Sequence, residues 1–439
     1  MKKVFMVAAG LLAAWSAWGQ SSPWSLSQCI DYALDHNLTV RQNEISAAQR
    51  EVELSTAEAR RLPSLSGNAS QNFSFGRGLT ADNTYANTNT TSTGFSLGSD
   101  VPLFQGFQIK NSIAMSKLNL AAATVDLEKA RDDIRVAVAQ AYVQILYDKE
   151  LLAVARCQVE IDSLQVVRLE EMARRGRASG AEVAAQQATL AQSRSTAVQA
   201  EGTLSMALLD LTQLLELPSP EGFDVVVPLD EVLEPGLLLS PEAIYAEAVE
   251  IKPIVEAEQI RLDYAQANID LAKGAFLPSL SLSGGIGSNY YTSSGIGSAK
   301  FSDQMKNNFS QYLGLSLSVP VFTRFSNRNN LRAAQLSYKS QQLQLENVKK
   351  SLYKEIQQAY YNAVNAQEKY RSSLSAAASA SEAFDLMQAR YELGQANSTE
   401  FNESKARYLE AESNLARARY EQLYSSRLLD FYRGLPLSF

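Results

Sequence analysis

The chain has 439 residues, a formal charge of −7, one histidine and two cysteines. A Ser-His-Asp triad or a zinc site would have to use His36 itself, which has no companion ligands at metal spacing, and an acidic chain without a basic stripe interleaved with aromatics disfavours nucleic acid as a partner. Cys29 and Cys157 lie far apart in sequence and form no disulfide framework of the small secreted kind; they read as isolated thiols, with a single bridge between them as the alternative.

The N-terminus reads as a secretory signal over residues 1–19. Lys2 and Lys3 supply its charged start, Val4 to Ala14 is apolar apart from Gly10, and Ala17-Trp18-Gly19 places small residues at a cleavage site. Cys29 lies well beyond that site, so a lipid anchor on a new N-terminal cysteine is not expected. No later run of apolar residues is long enough for a transmembrane helix. The mature chain is therefore either soluble outside the cytoplasm or crosses a membrane with β-strands, which hydropathy misses because they are short and alternate.

The rest is one unit written twice. Val101-Pro102-Leu103-Phe104 recurs as Val319-Pro320-Val321-Phe322. Phe107, Ala141-Tyr142, Gly176 and Glu182 recur at the same spacing as Phe325, Ala359-Tyr360, Gly394 and Glu400. Leu62-Pro63-Ser64-Leu65 recurs as Leu277-Pro278-Ser279-Leu280. This gives a first repeat over 20–216, a proline-rich linker over 217–240 with one short strand near Val225-Val226-Val227, and a second repeat over 241–439. Each repeat begins with a helix, roughly 25–62 and 241–276. Two alternating segments follow, then a long helix, a glycine-marked turn and a returning helix.

The alternating segments put Phe95, Leu97, Val101 and Leu103 on one face of an extended chain, with Ser96, Gly98 and Asp100 opposite. Leu280, Leu282 and Ile286 alternate with serine and glycine, and Leu313, Leu315, Leu317, Val319 and Val321 do the same. Phe73 and Phe75 continue a weaker version from Leu65. Period two suits a membrane barrel strand and equally a half-buried strand of a soluble protein; the pattern alone does not choose. Residues 80–93 and 293–310 read as solvated loops between paired strands. Four strands cannot close a barrel alone, so several chains must share one if these strands span a membrane. Gly284-Gly285-Ile286-Gly287 opens no helix and makes no phosphate cradle.

From Gln105 to Met172 there is no proline and only Gly106, a stretch reaching about 100 Å as a helix. Leu190, Ala197, Leu204 and Leu211 recur every seventh residue, with Ala200, Ala207 and Leu214 three later. In the second copy Leu415 and Leu429 hold the same phase, with Ala411 and Ala418. Heptads rich in alanine imply closely packed helices.

The duplication, Leu-Pro-Ser-Leu and Val-Pro-x-Phe at the helix–strand junctions, and Arg390-Tyr391-Glu392-Leu393-Gly394…Glu400-Phe401…Glu403…Ala406-Arg407 together resemble the TolC family of outer-membrane efflux proteins. The resemblance covers essentially the whole mature chain. It implies a mainly α fold with membrane β: three chains forming a twelve-stranded barrel, four strands each, continued by a long α-helical coiled-coil barrel in the periplasm. It implies a non-enzymatic exit duct for tripartite efflux or type I secretion in a Gram-negative outer membrane. Its partners would be outer-membrane lipid, a periplasmic adaptor and an inner-membrane transporter, with no cofactor, metal or nucleic acid.

The resemblance also assigns residues. Gly176 with Arg177 and Gly394 with Gln395 would dock the adaptor at the periplasmic mouth. Glu400 and Glu403 match aspartates that ring the periplasmic constriction in the family's namesake, so six carboxylates from three chains would favour cations and bind multivalent ones as plugs. Crowded like charges would also keep some of them protonated near neutral pH. In the first repeat Glu182 matches Glu400, but Ala185 stands where Glu403 does. Without the resemblance, the glycines read equally as helix C-caps and the glutamates as an acidic first turn. Pro63 and Pro278 mark helix-to-strand junctions, and Pro102 and Pro320 the return.

Three other architectures fit parts of this pattern. A periplasmic adaptor would carry one hairpin and β-rich flanks. A trimeric fibrous surface protein would lack the reversals at Gly176 and Gly394. An enzyme would need motifs that are missing.

Overall fold

The computed structural model describes residues 23–79, 83–228, 238–294 and 297–438. The expected signal segment, the middle of the linker and small parts of the two inter-strand loops lie outside the described residues.

The first repeat runs α1 (Leu26–His36), α2 (Leu38–Ala59), β1 (Ser64–Leu79), β2 (Tyr85–Gln105), α3 (Gln108–Arg174) and α4 (Gly180–Leu214). The second runs α5 (Pro241–Ile251), α6 (Pro253–Gly274), β3 (Ser279–Ser293), α7 (Phe301–Asn307), β4 (Ser310–Ser318), α8 (Ser326–Glu392) and α9 (Ser398–Tyr432). Among the described residues no helix is long and apolar enough to cross a membrane.

The single opening helix expected in each repeat is two. The break falls at Asn37 and at Lys252, both extended at their C-caps. Pro253 explains the second, because the residue before proline is pushed out of the α region. In the first repeat Asn37 does the work with its side chain, accepting from Thr39 N at 2.9 Å and donating to Leu214 O at 3.0 Å.

The chain divides into two compact units. One holds residues 46–124 and 257–346 and carries an antiparallel sheet in the order β1-β2-β3-β4. Residues paired across antiparallel strands share a face. Leu65, Ser99, Gly284 and Leu313 form one cross-strand row, and Val101, Leu282 and Leu315 another on the same side. Phe73, Phe75, Phe95, Leu97, Ile286 and Leu317 fall on that side too, while serine, threonine, asparagine and glycine dominate the other. The alternation expected from the sequence thus collects into one apolar face, and much of it is solvent-exposed in the chain: Leu315 is 65% exposed.

Several boundaries differ from expectation. The segment 85–93, expected as loop, is strand: Phe75 pairs with Asn89 and Phe73 with Thr91, and the ladder overrides the poor strand preference of asparagine. The other loop holds the short helix α7. β4 ends at Ser318, so Val319 and Val321 lie outside the strand. Pro102 is not at the return but inside β2, where the register shifts between Pro102 and Phe104. That bulge is a place where a proline without an N–H is tolerated, and it lets Phe104 rather than Leu103 oppose Leu280. Pro63 and Pro278 stand just ahead of β1 and β3, and Pro320 just after β4. The return turns share an unusual backbone: Gly106-Phe107 and Arg324-Phe325 all have φ between 52° and 64°. Gly106 is required in the first, because a Cβ there would meet Gly274 O at 2.3 Å.

The other unit holds residues up to 45, 125–256 and 347–439. Its core gathers Cys29, Ile30 and Ala33 of α1, Val138, Tyr142, Ile145 and Leu146 of α3, and Leu211 of α4. The heptad stripe of α4 faces inward at Leu190, Ala207 and Leu211, with Gln186, Ser193 and Thr212 buried beside it. In α9 Ala418 and Leu429 are buried, while Ala411 and Leu415 are only half-buried. The linker strand is a single parallel bridge, Trp24 with Val225. The Tyr142 hydroxyl seals it, lying 2.6 Å from Val226 O and 3.2 Å from Trp24 O.

Candidate functional site

The two hairpin tips are built alike. At the first, Gly176 has φ +70°, Gly176 N donates to Ala173 O at 2.9 Å and Arg177 N to Met172 O at 2.8 Å. At the second, Gly394 has φ +75°, Gly394 N donates to Tyr391 O at 3.1 Å and Gln395 N to Arg390 O at 2.8 Å. This pair of bonds is the Schellman C-cap, which needs a left-handed residue that glycine adopts without penalty. Among the described residues, and apart from the adjoining ones, no atom lies within 4 Å of where a Cβ would stand at either glycine, so both tips are open around them.

Three residues after each glycine the next helix is capped. Ser179 Oγ accepts from Glu182 N at 3.2 Å, and Ser179 N donates to Glu182 Oε2 at 2.7 Å. Asn397 Oδ1 accepts from Glu400 N at 2.8 Å, and Asn397 N donates to Glu400 Oε2 at 3.2 Å. These are reciprocal capping boxes. The backbone and hydroxyl hydrogen bonds from Ser179 hold the Glu182 carboxyl below its usual range. Glu400 therefore turns its carboxylate back onto its own helix start. Glu403 lies one turn on and pairs with Arg407 at 2.6 Å, both well exposed. The four tip residues and two glutamates read from the sequence are thus brought to the two turns, and each has a local structural partner or role there.

The sequence reading missed what lies just behind the tips. Arg168 of α3 sits over the Tyr391 ring at 4.8 Å and donates from Nη2 to Tyr391 O and Glu392 O, each at 2.9 Å. It thereby caps the end of α8. Tyr391 stacks on Phe401 at 4.7 Å, and Phe384 stacks on Tyr408 at 5.2 Å. Deeper, Lys405 of α9 forms a buried ion pair with Asp162 of α3. A lysine in the stripe Phe401, Lys405, Leu409 was the available signal: a charge at an inward-facing helical spacing needs a buried partner.

His36 stacks on Tyr32 at 4.0 Å, with Nδ1 3.0 Å from Tyr32 O, a local role within α1. Both cysteines are free thiols, and burial pushes Cys29 up to about 12. Among the described residues no group of three or more His, Cys, Asp or Glu side chains could hold a metal ion.

Residues 29–216 and 244–434 match the sequence profile of the outer membrane efflux proteins. The chain belongs to that family. The two matched stretches lie within the spans read as the two repeats, and the family places the chain in the outer membrane. Outer membrane protein TolC of Vibrio cholerae is 30% identical over a stretch covering 42% of each chain. Protein CyaE of Bordetella pertussis is 26% identical across 80% of this chain and 71% of its own length. The fold extends further than the sequence likeness. The Campylobacter jejuni CmeC outer membrane channel superposes with a TM-score of 0.78 at 18% identity, covering 96% of this chain and 91% of that one. The outer membrane protein VceC from Vibrio cholerae gives 0.76 at 16% identity, covering 94% and 97%.

Proposed function

We propose that three copies of this chain close one twelve-stranded barrel in the outer membrane and serve as the exit duct of a tripartite export system. The observation that carries this reading is the sheet. Among the described residues it has four strands, two unpaired edges and an apolar face left uncovered. Open edges invite pairing with another chain, and three such sheets supply enough strands to close, since barrels need eight or more. Lipid would cover the apolar face. The chain performs no catalysis in this role.

The tips at Gly176-Arg177 and Gly394-Gln395 dock a periplasmic adaptor, which links the duct to an inner-membrane transporter. Their open glycines leave room for a partner's backbone. Glu400 and Glu403 ring the narrow end. Carboxylates about 6–8 Å apart at an effective dielectric of ~20 repel by roughly 2–3 kcal/mol per pair before screening, so the ring favours cations. The capping bond of Glu400 and the Arg407 partner of Glu403 temper that field, and at the exposed Glu403 pair the local bond is weak. Relatives carry names for cation efflux (CusC of Escherichia coli) and for pyoverdine export (OpmQ of Pseudomonas aeruginosa), so this fold serves unlike cargoes and the pump does the selecting.

The test combines conductance and export. In planar bilayers the Glu400→Gln/Glu403→Gln variant loses cation preference and block by trivalent cations from the periplasmic side. Unchanged selectivity and block would place the gate elsewhere. Gly394→Trp keeps the assembly but abolishes export; normal export in that variant would remove the tip from the docking surface.

A further inference from the structure

Asp162 is fully buried, and three side chains from two other helices converge on it. Lys405 of α9 forms the ion pair. From α4, Ser193 Oγ donates to Asp162 Oδ2 at 2.5 Å and Gln186 Nε2 to Oδ1 at 3.3 Å. One carboxylate thus ties the first hairpin, α3 and α4, to the returning helix of the second. One turn nearer the tip, Gln165 and Asn402 leave buried side-chain oxygens without partners. A turn further, Arg168 caps the end of α8. All of these groups belong to one compact unit. A buried ion pair adds little net stability compared with apolar packing, yet losing one partner strands a charge. A hairpin shifted out of this register would strand the same charge.

The duplication shows where this arrangement is not repeated. At the spacing that relates Gly176 to Gly394, Asp162 corresponds to Ala380, Arg168 to Leu386, Ser193 to Ala411 and Lys405 to Gln187. None of the four counterparts is charged. Lys405 is buried, but Gln187 is exposed, and so is Leu386. The tied positions thus have uncharged counterparts in the other repeat: Ala380 and Ala411 are half-buried, while Gln187 is exposed and donates to Glu170 at 3.0 Å.

We propose that Asp162 and Lys405 pin the two hairpins of one chain into a single rigid four-helix tip. Movement at the tip then occurs at the seams between chains, where Ala380 of one copy faces Gln187 of the next. The location of the seams rests on the three-chain reading above; the pin within a chain does not.

Distances between spin labels at Arg175→Cys and Gln395→Cys, in a Cys157→Ser background, test both halves. With labelled chains diluted about tenfold by unlabelled ones, the in-chain distribution is narrow, and Asp162→Asn or Lys405→Ala widens it at least twofold. Singly labelled chains report the seams, where the distribution is broader than within a chain. Transplanting the pair as Ala380→Asp/Gln187→Lys leaves the native pin intact. It narrows the between-chain distribution about twofold and leaves the in-chain one unchanged. An in-chain width that is insensitive to Asp162→Asn, or already as broad as the between-chain width, overturns the pin. A transplant that leaves the between-chain width unchanged overturns the seams as the moving parts. Singly labelled chains that show no between-chain distance at all overturn the three-chain reading, while the in-chain width still judges the pin.

Discussion

The helical unit gathers a sealed apolar core within one chain, and the sheet does not. In the helical unit Tyr142, Ile145, Leu146 and Leu211 are sealed within one chain, and even the linker is stitched down through Trp24 and Val226. In the sheet unit Leu313, Leu315, Phe73 and Phe75 are exposed along one face. A soluble domain of this size does not leave so large an apolar face bare. The difference teaches that one chain builds a core in its helical unit and none in its sheet; on the three-chain reading proposed above, lipid and further copies cover the apolar residues still bare in both, Leu315 and Leu386 among them.

Three substitutions would break or sharpen that contrast. Leu146→Ala empties a fully buried site and costs about 2–5 kcal/mol. Denaturant unfolding followed by circular dichroism reads it, and the loss appears whether or not chains are assembled. Leu315→Arg places a charge on the exposed apolar face, at about 2–4 kcal/mol if that face meets the bilayer midplane. It leaves the helical signal intact but empties the outer-membrane fraction; normal membrane yield would mean that lipid does not cover this face.

Asp148→Asn has the smallest effect and the opposite sign. Burial raises the Asp148 carboxyl, and its Oδ2 has no partner while Oδ1 accepts from Gln144 at 3.0 Å. A folded pKa above the unfolded one means that the fold favours the protonated acid. The penalty is therefore present above the folded pKa and disappears as pH falls below the unfolded one. The amide stabilises by about 1 kcal/mol at pH 7, and the gain over wild type shrinks to nothing in acid. A gain that persisted at low pH would mean that the charge is not the cause.

The legible part of this molecule was whatever the duplication wrote twice. Gly176 and Gly394 announced reversals because left-handed turns favour glycine, and Pro63 and Pro278 announced where helix becomes strand. The alternation at Leu313, Leu315 and Leu317 gave the sheet its apolar face. Features decided by tertiary pairing stayed hidden. Residues 85–93 look like loop until β1 pairs with them. Pro102 looks like a strand end until the bulge absorbs it. The break at Asn37 has no proline to signal it. Asp162 and Lys405 are far apart in sequence and unmatched in the other repeat, so no local pattern joins them. Glu400 reads from the sequence both as part of a ring and as an acidic first turn; its capping geometry, shared with Glu182, makes that position a helix start in both repeats.

Native mass spectrometry of the protein extracted from outer membranes in mild detergent tests the central claim most directly. The account predicts one species of three identical chains, each beginning near Gln20, which separates into monomers only when the sheet is disrupted. A monodisperse monomer with its strands intact would contradict it.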